Sequence, residues 1–441
     1  MKLLYSNDTA GQHANSWYHA TADVPTYPSL VGSNKFDVCV IGAGYTGLSA
    51  ALTLASAGRS VCVLEAHRVG WGASGRNGGQ LGSGFNQHEK LDKAYGLKAS
   101  QRYWALAERA KKFVLDTATQ HNINIQYQPG IVNTLHKKTS LSQLKAELNQ
   151  FNLTHSGAQL QALDRDALQA HIRTDNYYAG VYEANSGHLH PLNLAIGLAR
   201  VANDHGAHLF ECSPVTRIER LITSDHRFCL RTPQGQIIAN TVVCAMNGYL
   251  DGLEPRVQSD VIPINNFIIA TEKLGQRIHD LLPSNAAIAD SRFVVNYFRR
   301  SADDRLLFGG GENYGYRFPA DYPHQVKKAM STIFPTLHNV KIDFAWGGTL
   351  AITRSRWPSV RQIEPGLFSS SGYSGHGVAL ANFCGHATAK AIIGDSEDFD
   401  SLSRLNTGYI PGGAFFRPHL ATAAMGGLAM LDRLPTYAKN R

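Results

Sequence analysis

Apolar and polar positions alternate in short blocks along this chain, and the block that organises the rest spans residues 36 to 65. Val38 to Ile41 is wholly apolar, the pattern of a strand buried on both faces. It runs into Gly42-Ala43-Gly44-Tyr45-Thr46-Gly47, and an Ala- and Leu-rich stretch from Leu48 to Ala57 reads as a helix. A turn at Gly58-Arg59, a second apolar strand from Val61 to Leu64, and an acid, Glu65, complete the unit. Strand, helix, strand and acid stand in the order that a dinucleotide needs. Gly42 permits the tight turn, Gly44 lets the backbone approach a pyrophosphate, and Gly47 lets helix and strand pack closely. Tyr45 and Thr46 lie in the glycine turn before the helix, whose free N–H groups and partial positive charge face the phosphates. Glu65, with Ala66 beside it, lies 65 − 47 = 18 residues past the last glycine, where a carboxylate accepts hydrogen bonds from ribose hydroxyls.

Directly after this unit, Gly70 to Gly79 carries five glycines in ten residues, which neither a helix nor a strand tolerates. Such backbone suits close approach to a large flat or phosphorylated ligand, with Ser74 and Arg76 toward the pyrophosphate and the Gly78 and Gly79 amides toward a ring edge. Helical periodicity is predicted over Leu91 to Thr119, Leu141 to Phe151, Asp164 to Ile172 and Leu192 to Asn203. Strands are predicted at Ile125 to Thr134 (broken at Pro129-Gly130), Ala207 to Glu211, Val215 to Arg220, and 226 to 244 around the turn Pro233-Gln234-Gly235. Val261 to Thr271, Phe293 to Phe298 and Leu306 to Gly309 suggest an antiparallel sheet, with a turn or bulge at Gly309-Gly310-Gly311. Leu367 to Ser370 is a strand that leads through a second glycine cluster, Gly372-Tyr373-Ser374-Gly375-His376-Gly377, into a helix over Val378 to Ile393. That helix N-terminus can face a second negative centre. Residues 1 to 35 read as an irregular arm anchored by Trp17 and Tyr18, and Leu420 to Leu431 as a C-terminal lid or packing helix.

Composition narrows the options. A chain of 441 residues has room for two domains and a sizeable core. No apolar run reaches membrane-spanning length and no secretory signal is recognised, so a cytoplasmic protein is expected. The six cysteines include no C-x-x-C pair and most lie in apolar runs, as reduced buried thiols do. His188 and His190 lack a third partner of suitable spacing, so no metal is expected. The net charge of +8 is spread along the chain without a basic run, which argues against nucleic acid and fits either general solubility or a field favouring an anionic cofactor and substrate.

The βαβ unit followed by Gly72-Ala73-Ser74-Gly75-Arg76-Asn77-Gly78-Gly79-Gln80 resembles the D-amino-acid-oxidase-like superfamily of FAD-dependent amine oxidoreductases. Within it, this stretch is most similar to gamma-glutamylputrescine oxidoreductases and their relatives. The resemblance implies a Rossmann-like FAD-binding domain interleaved with an antiparallel-sheet substrate domain. Residues 1–90, 151–255 and 346–400 would form the former, 91–150 and 256–345 the latter, and 401–441 a C-terminal segment. It also implies that Asn77 and Gln80 face FAD, that Val215 meets the adenine edge, and that Gly248 ends a strand beneath the cofactor. Gly372, Gly375, His376 and Gly377 then face the flavin ring, and His376 and Tyr297 are the candidate catalytic residues. Arg299 and Arg300 are candidate substrate contacts, of which strand alternation should leave at least one solvated. One of His188 and His190 would approach the active site.

The implied reaction is oxidative deamination of an amine to an aldehyde, with ammonia released and molecular oxygen reduced to hydrogen peroxide. Gamma-glutamylputrescine is the substrate that the family suggests first, in putrescine catabolism. A pipecolate-like cyclic imino acid or another secondary amine is the near alternative. No cysteine stands between residues 245 and 383, where one branch of the family attaches its flavin, so non-covalent FAD is expected. A histidine link near the N-terminus stays open. An NAD-dependent dehydrogenase would also use Glu65 but requires neither the 72–80 loop nor the 372–377 cluster. A non-catalytic flavoprotein is the third reading. Oligomeric state is left open.

Overall fold

The computed structural model describes residues 3–221 and 227–408. Two sheets organise the chain. The first has eight strands, six of them in the order Ser359–Glu364, Leu367–Ser371, Gly235–Cys244, Gly32–Ile41, Val61–Leu64 and His208–Phe210. The four neighbouring pairs from Leu367–Ser371 to His208–Phe210 are parallel. Phe228–Arg231 and Arg217–Arg220 extend it as an antiparallel ribbon off Gly235–Cys244.

Successive residues of its central strands enter different cores. Val38, Val40, Val61 and Val63 join a cluster with the helices, whereas Cys39, Ile41, Cys62 and Leu64 join one on the opposite face with Phe228 and Leu230. Side chains alternate across a strand, so burial of both faces demands a continuous apolar run and leaves no polar phase.

Helix Tyr45–Ser56 packs against helix Gly377–Ile392 at very short range. A Cβ on Gly385 would lie 2.1 Å from the Thr46 carbonyl oxygen, and one on Gly47 would lie 1.9 Å from that of Gly42. Ser49 Oγ donates to Asn382 Oδ1 at 2.8 Å between the same two helices. Packing this close brings both helix N-termini to one side of the sheet.

The second sheet has nine strands: Ile342–Ile352, Ile262–Thr271, Leu306–Asn313, Tyr297–Arg300, Ala287–Asp290, Gln128–Leu135, Ala179–His188 and Gln80–Leu81 in order, with Leu160–Leu163 beside Ala179–His188. Its pairings are antiparallel apart from Ala287–Asp290 with Gln128–Leu135. Phe267, Ile269, Phe298 and Phe308 pack with helix Tyr322–Ile333 on one face. Ile264, Asn266, Tyr297 and Ala289 present the other face to a cavity. The fold is thus a mixed α/β architecture, a parallel nucleotide-type sheet joined to an antiparallel-rich second sheet.

Several boundaries differ from expectation. Leu160–Leu163 and Ala179–His188 pair in the second sheet, so a division at residue 150 cuts through it, and Ile342–Ile352 crosses the one at 345. The cause is hydrogen bonding over long sequence separations, which local patterning does not register. Only Tyr297–Arg300 of the region 293–300 is strand, because Asp290 turns the chain by accepting from the Arg292 and Asn296 N–H groups. The helix expected over 164–172 is reduced to Arg165–Leu168. The arm is not wholly irregular: Trp17–Thr21 is a helix capped by the Ser16 side chain, and Trp17 and Tyr18 are buried as expected. The segment Leu420 to Leu431 lies outside the described residues.

Candidate active site

A cavity of about 1490 Å³ lies between the two sheets, larger than the roughly 300–1,000 Å³ of an ordinary small-molecule pocket. Both helix N-termini open into it, through Gly44, Tyr45 and Thr46 on one side and Gly375, His376 and Gly377 on the other. Gly44 and His376 are the two N-cap residues, and neither caps its helix with a side chain. The first-turn N–H groups therefore remain available to an anion. The Tyr45 N–H is the exception, donating to Ser74 Oγ at 2.9 Å. Thr46 Oγ1 and the Tyr373 hydroxyl, 2.6 Å apart, tie the two glycine clusters together.

At the end of the second strand of that unit, Val61–Leu64, Glu65 lines the cavity with Ala66 and Val215. Its carboxylate accepts from the Ala43 N–H at 2.7 Å and the His67 N–H at 2.9 Å. Burial pushes its pKa up to about 7 despite those two donors. Because it also lines the cavity, the same carboxylate could accept from ribose hydroxyls. Glycine backbone, two helix N-termini and a strand-end carboxylate lining one large cavity fit FAD.

Of the sequence-predicted cofactor residues, Ser74, Asn77, Gly78 and Gln80 also line this cavity. Gly47, Gly79, Gly248 and Gly372 are not among its lining residues. Gly47 packs helix on strand, and Gly79 lies against Leu189, where a Cβ would come within 2.1 Å of the carbonyl oxygen. Gly372 donates its N–H to Asn247 Oδ1 at 3.0 Å. Arg76 lines the cavity, but its Nη1 is held by Asp8 at 2.7 Å and its Nε by the Trp71 carbonyl at 2.6 Å. Its charge ties down the N-terminal arm.

His376 lines the cavity at the second helix N-terminus, with its Nδ1 buried and unpartnered. Burial draws its pKa down to about 4, and the helix dipole acts in the same direction, so the imidazole is neutral at neutral pH. Tyr297 donates to Asn266 Oδ1 at 2.5 Å, and burial raises its pKa, so it stays a phenol. Its ring lies against Gly78 and Gly309, where a Cβ would come within 2.7 and 2.1 Å of it.

Arg299 and Arg300 are not among the lining residues. Arg299 is buried and donates to the Gly78 and Leu189 carbonyls, holding the glycine loop against the second sheet. Arg300 is partly exposed and reaches Asn285 and His279, in agreement with strand alternation. His188 and His190 are buried outside the cavity. His188 Nε2 lies 2.8 Å from the Asn285 carbonyl, and His190 caps helix Pro191–Asp204 by accepting from Asn193. Among the described residues no three His, Cys, Asp or Glu side chains converge as a metal site would require.

Sequence reasoning missed Asn266, Glu312, Glu183 and Arg356, all of which line the cavity. Strand alternation could have assigned Asn266 to the face opposite Phe267. No local signal marked the others.

The family model described as FAD dependent oxidoreductase matches residues 37–391. The chain belongs to that family. It is a flavoenzyme, with FAD as its cofactor and a small molecule as its substrate. It is 39% identical to a probable oxidoreductase OrdL of Rhizobium meliloti (strain 1021), over 95% of this chain and 97% of that one. It is 34% identical to the gamma-glutamylputrescine oxidoreductase of Escherichia coli (strain K12), over 96% and 99%. Among solved structures it is similar to glycine oxidase from Bacillus cereus ATCC 14579, with a TM-score of 0.66, 21% identity and coverage of 84% and 99%. L-proline dehydrogenase from P. horikoshii gives a TM-score of 0.67 at 20% identity, with coverage of 83% and 96%. These two structural likenesses bear on the fold alone. No helix among the described residues is long and apolar enough to cross a membrane.

Proposed function

We propose that this FAD-dependent oxidoreductase oxidises the terminal primary amine of gamma-glutamylputrescine. The products are the aldehyde, ammonia and, with molecular oxygen as acceptor, hydrogen peroxide. The observation that carries this reading is a likeness to the Escherichia coli protein that spans nearly the whole of both chains. FAD, when bound, supplies the two-electron acceptor, and the protein supplies orientation, electrostatics and exclusion of water. His376 is proposed to border the reacting amine and Tyr297 to wall the substrate between there and Glu312, both in their neutral forms at neutral pH. Neither is then a ready proton acceptor, so the amine must react unprotonated, and an enclosed site favours this by lowering the amine's own pKa. The Tyr297 hydroxyl is committed to Asn266 and can orient a bound group without exchanging its proton. Non-covalent attachment of FAD is proposed too, since Cys244 and Cys384 are buried and burial raises the pKa of both thiols.

The test is anaerobic flavin bleaching by a panel of amines: gamma-glutamylputrescine, putrescine, sarcosine and pipecolate. Bleaching by gamma-glutamylputrescine at the lowest concentration supports the reading. Selective bleaching by pipecolate or sarcosine would replace it with a secondary-amine oxidase.

A further inference from the structure

Three arginines line the cavity: Arg76, Arg292 and Arg356. Arg76 is paired with Asp8, and Arg292 with Asp290. Among the described residues, the Arg356 guanidinium has no hydrogen bond or ion pair at contact distance. At longer range the Glu312 carboxylate is the charge that acts on it most strongly. Its backbone is built to present it. The turn closes from the Arg356 N–H to the Thr353 carbonyl at 3.3 Å and from the Thr353 hydroxyl to the Trp357 carbonyl at 2.7 Å. Arg356 itself is held at φ 70°, a left-handed conformation that a residue with a Cβ rarely adopts.

Glu312 reaches the same cavity by a second local irregularity. Strand Leu306–Asn313 pairs with Ile262–Thr271 through Gly310↔Phe267 and Glu312↔Asn266, so Gly311 is an extra residue at φ 74°. Phe308 lies in the apolar core, and plain alternation would send Glu312 to that same face. The bulge turns it to the cavity face instead, which is a common use of bulges beside functional sites. Asn266 Nδ2 holds the bulge by donating to the Gly311 carbonyl at 2.8 Å, and the Tyr314 hydroxyl donates to the Glu312 carboxylate. Two separate backbone distortions thus bring one carboxylate and one unpaired guanidinium to a single cavity.

We infer that Glu312 and Arg356 form a subsite for a zwitterionic α-amino-acid head, Arg356 taking its carboxylate and Glu312 its ammonium. This rests on the function proposed above and names what selects the substrate. The reacting amine lies at the other end of such a molecule, so these two residues determine specificity and carry no step of the oxidation. Burial lowers the Arg356 pKa and raises that of Glu312, so both gain from an oppositely charged ligand group.

The test is calorimetric titration of the FAD-loaded enzyme, under anaerobic conditions, with gamma-glutamylbutylamide, which has the head and chain but lacks the terminal amine. A second probe replaces its α-carboxylate by a primary amide. Wild type is expected to bind the acid at least ten-fold more tightly than the amide. Arg356→Gln should weaken binding of the acid at least ten-fold and abolish the discrimination, and Arg356→Lys should restore part of both. Glu312→Gln should weaken both probes. Equal binding of acid and amide by wild type, no binding of either, or discrimination retained in Arg356→Gln would each overturn the subsite. The wild-type comparison needs no variant to fold. Amine bleaching without head-group discrimination sinks the subsite and leaves the proposed oxidase. Discrimination without bleaching by any amine does the reverse.

Discussion

Glu65 and Gly44 show how much of the proposed cofactor site rests on single positions. Burial raises the Glu65 pKa to about 7 against the pull of its backbone donors. Ribose hydroxyls would favour its charged form and lower that pKa. FAD binding near neutral pH should therefore release protons to solvent. Affinity should fall as pH drops below 7 and level off above it. Titrating deflavinated protein in two buffers of different ionisation enthalpy measures this, and identical heats in both would contradict it. At Gly44 a Cβ would lie 2.9 Å from Ser74 Oγ, the atom that accepts the Tyr45 N–H. Gly44→Val should weaken FAD binding at least about ten-fold, some 1.4 kcal/mol or more, read as the flavin-to-protein absorbance ratio after gel filtration. A variant that purifies with full flavin would contradict the backbone approach assigned here. Both residues were legible in the sequence because glycine spacing and a strand-end acid are local signals. Arg76 was legible only as a cavity residue, since its partner Asp8 lies 68 positions away.

At the scale of elements, the strands of the second sheet turn an apolar face to helix Tyr322–Ile333 and a mixed face to the cavity. Their existence follows from β-forming composition, whereas their register does not. The bulge that turns Glu312 into the cavity depends on which partner residue each glycine of Gly309-Gly310-Gly311 meets, and pattern alone cannot give that. The same glycines seat Tyr297, whose ring fills the space a Cβ would need at Gly309. Gly309→Ala should push Tyr297 off Asn266 and lower the rate of flavin reduction by substrate about ten-fold or more, with FAD content preserved, since this strand adjoins the substrate end. That threshold corresponds to about 1.4 kcal/mol in the barrier. Stopped-flow reduction measures the rate, and an unchanged rate would remove Tyr297 from the substrate wall.

Over the whole molecule, the N-terminal arm links the two sheets across the cavity proposed to hold FAD. Leu3 and Leu4 donate to the Asp251 carboxylate, and Asn7 exchanges hydrogen bonds with Tyr316 and Phe318. Asp8 pairs with Arg76, whose side chain is only 3% exposed. Removing one partner of an enclosed ion pair costs about 3 kcal/mol. Asp8→Asn should accordingly lower the temperature at which flavin fluorescence is released on heating, and an unaltered release temperature would show the arm to be dispensable. The arm's path was illegible beforehand because its anchors are single polar residues without periodicity. The central claim concerns the chain as a whole, and anaerobic titration with gamma-glutamylputrescine followed by readmission of air tests it most directly. The account predicts full bleaching of the flavin, then recovery of its colour with one hydrogen peroxide formed per flavin. A yellow protein that no amine in the panel bleaches would contradict it.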